Sequence, residues 1–277
     1  MCVPTYFGAR YIADCLSSVA SQTGVRLQII VCDDRSTDGT LEIARRTAAA
    51  YPNVEWVLRE NPRRLGMVEN WNACVALARS PFLKMMGQDD LLFHDCLSEQ
   101  ARLLDAHPSA SLVASRRIII NSSGKKLIHA PAPFKKGLIS GKEAAIRCLL
   151  SGTNTVGDPV ALLSRTSLIR SLGGFDGTFR YCTDVAMIMS LLSKGDFYFD
   201  PASRVGYRVH ADAVGNSSQQ IVVSEFTNCV GLLEDALKIA FTSETRGFIA
   251  FKSTVLSLIR RRLYRVLNTW PLVSRRP

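Results

Sequence analysis

Two stretches of this chain set adjacent carboxylates where chemistry could use them. The triplet Gln88-Asp89-Asp90 follows a strand-like run, Phe82-Leu83-Lys84-Met85-Met86, and a glycine. Asp33-Asp34 closes a second apolar run, Val25 to Cys32. Strands of open α/β sheets deliver their chemistry at their carboxyl ends, so both pairs are expected at the mouth of one crevice. Adjacent carboxylates beside a nucleotide phosphate are a common holder for Mg²⁺ or Mn²⁺, because hard cations want oxygen ligands. Two acids on a surface turn would be the ordinary alternative, and what stands before and after them has to decide. Further on, Thr183-Asp184 opens a helix and Arg208-Val209-His210 ends a late strand. An aspartate in a first helical turn is stabilised by the macrodipole without any catalytic role.

The elements that would position these residues follow from periodicity. Cys2-Val3-Pro4-Thr5-Tyr6 reads as a first strand, several residues short of the five or six that a core strand normally has. A misassigned start, or a weakened edge to the nucleotide pocket, is expected there. Ala9 to Gln22 is a helix with Ile12, Leu16 and Val19 on one face. The second strand, continuously apolar after Gln28, suits burial on both faces. Ser36, Thr37 or Asp38 can cap a helix running to about Ala50. A third strand over Val54 to Leu58, a turn over Asn61 to Gly66 and a helix over Gly66 to Arg79 complete the run. This β-α-β-α-β-α-β order demands a parallel, doubly wound sheet. No G-x-G-x-x-G or Walker sequence follows any strand, so phosphate charge would have to be met by metal.

Beyond it, Leu112 to Ile120 is a strand carrying Arg116 and Arg117, and Ser140 with Glu143 forms a capping box for a helix to Leu150. Gly157 to Leu163 is a turn feeding a strand, with Asp158 as a turn residue. In the Thr183-Asp184 helix, Ile188, Leu191 and Leu192 face inward, and Phe197 to His210 alternates as a late strand or hairpin.

Composition bounds the class. The chain has 277 residues, 47% of them hydrophobic and 21% charged, which is that of a globular protein of one large domain or one domain with an appendage. Eight cysteines lie scattered with no C-x-x-C pair, several inside apolar patterns, so buried free thiols in a reducing compartment are expected. No signal-peptide pattern and no apolar run near 18 residues occurs, which predicts a cytosolic chain or one on the cytosolic face of an inner membrane. The net charge of +10 is uneven: over residues 243 to 277 eight basic side chains stand against Glu244 alone, leaving +7. A nucleic-acid footprint on the body is therefore not required, and no aromatic-basic platform is present.

In order and spacing, Val3-Pro4-Thr5-Tyr6, Asp33-Asp34-Arg35-Ser36-Thr37-Asp38-Gly39-Thr40, Asn61…Gly66…Asn70-Trp71-Asn72 and Gln88-Asp89-Asp90 resemble the motifs of family 2 glycosyltransferases. Gly173-Gly174-Phe175-Asp176, Thr183-Asp184 and Arg208-Val209-His210 with Ser217 continue the likeness over roughly residues 1 to 220. The resemblance implies a GT-A fold: a Rossmann-like, mostly parallel doubly wound α/β sheet with helices on both faces, plus a helical C-terminal extension. It implies a domain over 1–220, with a nucleotide-binding half to 110 and an acceptor-binding half from 111, then a basic helical extension over 221–277. The implied activity is inverting transfer of a sugar from a nucleotide-diphosphate sugar to a saccharide or lipid-linked acceptor, in polysaccharide or lipopolysaccharide synthesis. Residue by residue, Asp34 resembles the acid that bonds the base or ribose, and Pro4, Thr5 and Tyr6 the opening of that pocket. Asp90 resembles the last acid of the family's D-x-D-type motif, which holds Mn²⁺ or Mg²⁺ on the diphosphate, and Asp89 its neighbour facing the donor ribose or sugar. Asp184 resembles the catalytic base. Arg208 and His210 resemble a segment near the diphosphate, where the histidine assists metal or phosphate and cationic groups offset leaving-group charge.

The chain departs from the pattern at Phe7 for asparagine, Gln88 for aspartate and Thr183 for glutamate. These departures, with the short first strand, leave a non-catalytic binding protein on a decayed scaffold as a rival. A nucleotidyltransferase is a second rival, although Thr5 to Arg10 lacks the phosphate loop of that class. In the tail, Phe248, Phe251, Val255, Ile259, Leu263 and Val266 recur at three- or four-residue spacing with Arg261, Arg262 and Arg265 between them. Such a helix, over 246–267, suits an anionic membrane surface, or packs on the domain with its arginines solvated.

Overall fold

The computed structural model describes residues 1–210 and 219–269. The first half builds β1 (Cys2–Thr5), α1 (Ile12–Ala20), β2 (Gln28–Asp33), α2 (Thr40–Ala50), β3 (Glu55–Glu60), α3 (Met67–Leu77) and β4 (Phe82–Leu83). Strands β1, β2 and β3 pair in parallel in that order. Every residue of β2 is buried, and Ile29, Ile30 and Val31 are fully so. Each such side chain contributes about 1.5–3 kcal/mol by leaving water, so β2 is the spine of this half. β3 lies at the edge of the ladder, which its exposed Glu55, Arg59 and Glu60 suit.

The run at 82–86, a core strand by its apolar pattern, is regular over two residues only. It meets β1 through Cys2 N–H to Lys84 O and Met86 N–H to Cys2 O, both 2.9 Å. The next rung of a parallel ladder would need an N–H from Pro4, which has none. Pairing stops there, the chain leaves the sheet at Gly87, and the two acids turn out at its end. This is what Pro4 does in the fold.

The second half adds β5 (Leu91–Leu92), α4 (Cys96–Ala106), β6 (Ala110–Ile120), β7 (Lys126–His129), β8 (Gly137–Ile139), α5 (Gly141–Ser151), β9 (Leu162–Arg165), α6 (Thr166–Ser171), α7 (Thr183–Leu192) and β10 (Asp196–Arg208). Its spine is the long parallel pair β6–β10, with antiparallel β9, β7, β8 and β5 alongside. Ser140 stands at the N-cap of α5, but no side-chain cap bond forms, and Glu143 pairs with Arg147 instead, so the expected capping box is absent. Helix α7 is buried nearly all round, with Ile188, Leu191 and Leu192 inside as their spacing predicts.

Helices α8 (Gln219–Leu237) and α9 (Ser243–Thr269) follow. Phe226, Cys229, Val230 and Leu233 of α8 are buried in the same core as α7, so residues beyond 220 share that core. All eight cysteines are free and buried, as expected.

Candidate functional site at the strand ends

The loop after β1 is where many nucleotide-binding sheets offer backbone amides to phosphate. Here four consecutive amides are already taken by side chains. Tyr6 N–H donates to Gln88 Oε1 (3.0 Å), Phe7 to Ser36 Oγ (2.9 Å), Gly8 to Thr40 Oγ1 (2.8 Å) and Ala9 to Asp38 Oδ2 (3.0 Å). Asp38 also accepts from Thr40 N–H at the start of α2, so one side chain ties that helix to the loop. The arrangement leaves no phosphate loop of the nucleotidyltransferase kind.

Asp33 and Asp34 are each met by three hydrogen-bond donors. Asp33 accepts from Thr5 Oγ1, Ser36 Oγ and Ser36 N–H at 2.6–2.9 Å. Asp34 accepts from Leu65 N–H (2.6 Å), Gly66 N–H (2.8 Å) and Asn61 Nδ2 (3.0 Å). Thr5 is 1% exposed and Asp34 3%. Both are buried, and Asp34 pins the 61–66 loop. Asn61, Gly66 and Asn70 lie at the spacing of a loop that such an acid can pin. Asn70 completes it by accepting from Asn61 Nδ2 and donating to Cys32 O. Two residues on, Asn72 pairs reciprocally with the backbone of Phe175, joining that motif to Gly173-Gly174-Phe175.

Asp89 and Asp90 are held differently. A Cβ at Gly87 would lie 2.7 Å from Asp89 Oδ1, so glycine lets the two acids fold back over the turn. Asp90, 6% exposed, accepts Arg208 N–H at 2.9 Å. The Arg208 guanidinium is 2% exposed, donates from Nε to Asp89 O at 2.6 Å and stacks over Tyr11 at 4.7 Å. His210 Nε2 lies 2.7 Å from Asp89 Oδ2, with its ring 4.8 Å from Tyr11. Burial first, and then the Asp89 charge, push the Asp90 carboxyl well above the usual carboxylate range.

Asp89, Asp90, Arg208 and His210 are thus one cluster, and Tyr6 joins it through Gln88. His210 reaches the acid pair through Asp89, with its ring against Tyr11. Among the described residues no group of three or more His, Cys, Asp or Glu is arranged to hold an ion. Asp184 opens α7 and is bonded to Asn154 Nδ2 at 3.4 Å. It borders a cavity of about 30 Å³ shared with Met85, on the run that leads to the acids, and with Pro159. Thr183 is buried at 1% exposure and bonds Asp176 O.

Three contributors escaped the sequence reading. Asp158 is no bare turn residue, since it pairs with Arg117 at 2.8 Å and its charge reaches Asp90. Tyr11 packs against both Arg208 and His210. Glu225 of α8 accepts the amides of Arg180, Tyr181 and Cys182 at 2.7–2.9 Å and so fixes the entry to the Asp184 helix. Nothing in local spacing signals any of these long-range contacts. Asn216 and Ser217 lie outside the described residues.

The model of glycosyl transferase family 2 matches residues 1–171. The chain belongs to that family. Among its relatives is the abequosyltransferase RfbV of Salmonella typhimurium, 35% identical over 107 residues, 38% of this chain and 32% of RfbV. The chain spans less than two thirds of the length of the curated relatives it matches. In fold it is similar to Staphylococcus aureus TarS 1–349 in complex with UDP-GlcNAc (TM-score 0.65, 15% identity, 94% of this chain and 90% of that one). It is also similar to the mannosyltransferase PcManGT of Pyrobaculum calidifontis in complex with GDP-Man and Mn²⁺ (TM-score 0.60, 18% identity, 95% and 74%). The architecture is accordingly the GT-A fold, with the acid cluster at its strand ends.

Proposed function

We propose that the chain is an inverting glycosyltransferase that moves a sugar from a nucleotide-diphosphate donor to an acceptor hydroxyl in surface polysaccharide or lipopolysaccharide assembly. The observation that carries this is the Asp89–Asp90 pair, held out at the strand ends by Arg208 and His210 beside a loop whose amides are all engaged. A diphosphate entering here finds no amide cradle and two carboxylates, a combination that requires a divalent cation. The residues fit one: Asp90 is a buried carboxyl whose negative charge burial and Asp89 disfavour, which a cation would relieve. Asp90, with Asp89 beside it, would hold Mn²⁺ or Mg²⁺, and the ion supplies charge neutralisation for the diphosphate leaving group. One or two carboxylates plus substrate phosphates is the usual composition of such a site.

The chain's own residues do the rest. Arg208 orients Asp90 through its backbone N–H, and His210 orients Asp89. Tyr6 lines the nucleotide side. Asp184 accepts the proton of the acceptor hydroxyl as its oxygen bonds to the anomeric carbon and the bond from that carbon to the donor phosphate oxygen breaks on the opposite face. The nucleotide diphosphate carries away the bonding pair. Asp184→Asn should abolish measurable transfer while leaving nucleotide binding, followed by calorimetry, near the wild-type value. Full activity in that variant would remove Asp184 as base.

The same reading places the enzyme on an anionic membrane surface, where lipid-linked acceptors are found. Helix α9 turns Ile249, Ser253 and Ser257 to the body and leaves Phe248, Phe251, Val255, Leu258, Ile259 and Leu263 exposed. Arg262 is exposed beside them, and the segment is strongly basic. The side chains of Arg260, Arg261, Arg265 and Val266 lie outside the described residues. No described helix is long and apolar enough to cross a membrane. The full chain should sediment with phosphatidylglycerol vesicles and not with phosphatidylcholine ones, and Phe251→Asp with Ile259→Asp should release it. Failure to bind the anionic vesicles would contradict this placement.

A further inference from the structure

Gln88 replaces a motif acid, and its structural use is unlike that of an acid. Its side-chain amide forms two antiparallel hydrogen bonds with one residue: Tyr6 N–H donates to Oε1, and Nε2 donates to Tyr6 O, each at 3.0 Å. This is the pattern by which one strand residue reads another, made by a side chain across 82 positions of sequence. An aspartate could not do it. It is one methylene shorter, has no donor when ionised, and would set a carboxylate against the Tyr6 carbonyl. Space for the amide exists because residue 8 is glycine: a Cβ there would lie 2.3 Å from Gln88 Oε1.

What the clamp holds is an exposed aromatic lip. Tyr6 and Phe7 are 37% and 51% exposed, their rings meet edge to face at 4.6 Å, and the Arg64 guanidinium lies 4.4 Å over Tyr6. Phe7 has a φ of 51°, a left-handed conformation that bulky residues adopt only under strain. The lip therefore keeps its shape only where neighbours impose it, and Gln88 does so from the acid motif itself. Resting on the donor-site reading above, we infer that Gln88 is a positioning residue which locks the Tyr6–Phe7 lip for a planar nucleotide base. It couples the base end of the donor pocket to the acid end. Charge is given up at position 88, and a preformed aromatic wall is gained.

The test is a binding cycle on the full chain, using calorimetry with Mn²⁺ and whichever of UDP, GDP and dTDP the wild type binds. Gln88→Met keeps bulk and neutrality while removing both hydrogen bonds, and should weaken binding about tenfold. Its thermal midpoint and its affinity for Mn²⁺ alone should stay at the wild-type values. Gly8→Ala, whose backbone tolerates a side chain, should reproduce the loss by displacing the amide. In a Tyr6→Ala background, Gln88→Met should add little, because the effect passes through Tyr6. Wild-type affinity in Gln88→Met, or full additivity with Tyr6→Ala, would overturn this inference alone. A wild type that binds none of the three nucleotides would overturn the donor-site reading and this inference with it.

Discussion

The chain carries two Asp-Asp pairs at strand ends, alike in sequence and unlike in what surrounds them. Asp33 and Asp34 receive six hydrogen bonds from Thr5, Ser36, Asn61, Leu65 and Gly66, and both side chains are buried. Their charge is met by the protein, and they hold loops. Asp89 and Asp90 lie together with Arg208 and His210, and the Asp90 carboxyl is still pushed upward by burial and by its neighbour. We propose that a divalent cation meets that charge. A carboxylate pair marks a cation site by what its environment leaves uncompensated, not by its spelling. Volume is no better guide: a cleft of about 890 Å³ is lined by residues at strand starts such as Gln28, Glu55 and Phe82, at the opposite end of the sheet from both pairs.

Substitution should separate the pairs by sign. Asp90→Asn should cut transfer by about a thousandfold, the scale expected for losing a principal electrostatic group. Without metal its thermal midpoint should equal or exceed that of the wild type, since a buried repulsive charge is gone. A marked loss of stability in that variant would make Asp90 a second structural acid. Asp34→Ala should do the reverse. Three donors, two of them backbone amides, lose their acceptor, at a cost of about 3 kcal/mol that chemical denaturation would read as a lower midpoint. An Asp34→Ala chain of unchanged stability but failing nucleotide affinity would restore Asp34 to the pocket face.

The smallest effect concerns the cation behind the acids. Lys84 is 1% exposed, donates to Val160 O and Leu162 O at 2.8 Å, and has its pKa lowered by burial from 10.5 to about 8. Between those values the unfolded chain binds the proton more readily than the folded one. This group's contribution to stability therefore rises as pH climbs from about 8 to 10.5 and is flat below it. Lys84→Met should remove that slope from a stability–pH series. An identical slope in the variant would show that Lys84 is already neutral or remains charged throughout.

Much of this was legible beforehand, for identifiable reasons. Strand β2 is an uninterrupted apolar run because both faces are buried, and α7 shows its inward residues at helical spacing. Motif order gave the acid cluster its members. Where reading failed, the decisive partner was distant or chemically absent. The run at 82–86 is regular over two residues because β9 pairs with Phe82 and Leu83 alone, and Pro4 has no N–H to carry its bridge to β1 further. The capping box at Ser140 dissolved because Glu143 found Arg147 four residues on. The apolar stripe of α9 was visible, but not that serines would face the body and leave it outward. The Gln88 clamp and the Glu225 anchor join residues dozens of positions apart, where spacing carries no information.

Metal-dependent donor binding at Asp90 is read most directly by a thermal-shift panel of UDP, GDP and dTDP, each with and without Mn²⁺, on the wild type and Asp90→Asn. A nucleotide at a hundred times its dissociation constant adds about 2.7 kcal/mol, a shift of several degrees for a chain of this size. One nucleotide should stabilise the wild type only with metal, and Asp90→Asn should lose that shift. An equal shift without Mn²⁺, an undiminished one in Asp90→Asn, or none from any nucleotide would contradict it, the last favouring a scaffold that no longer binds a donor.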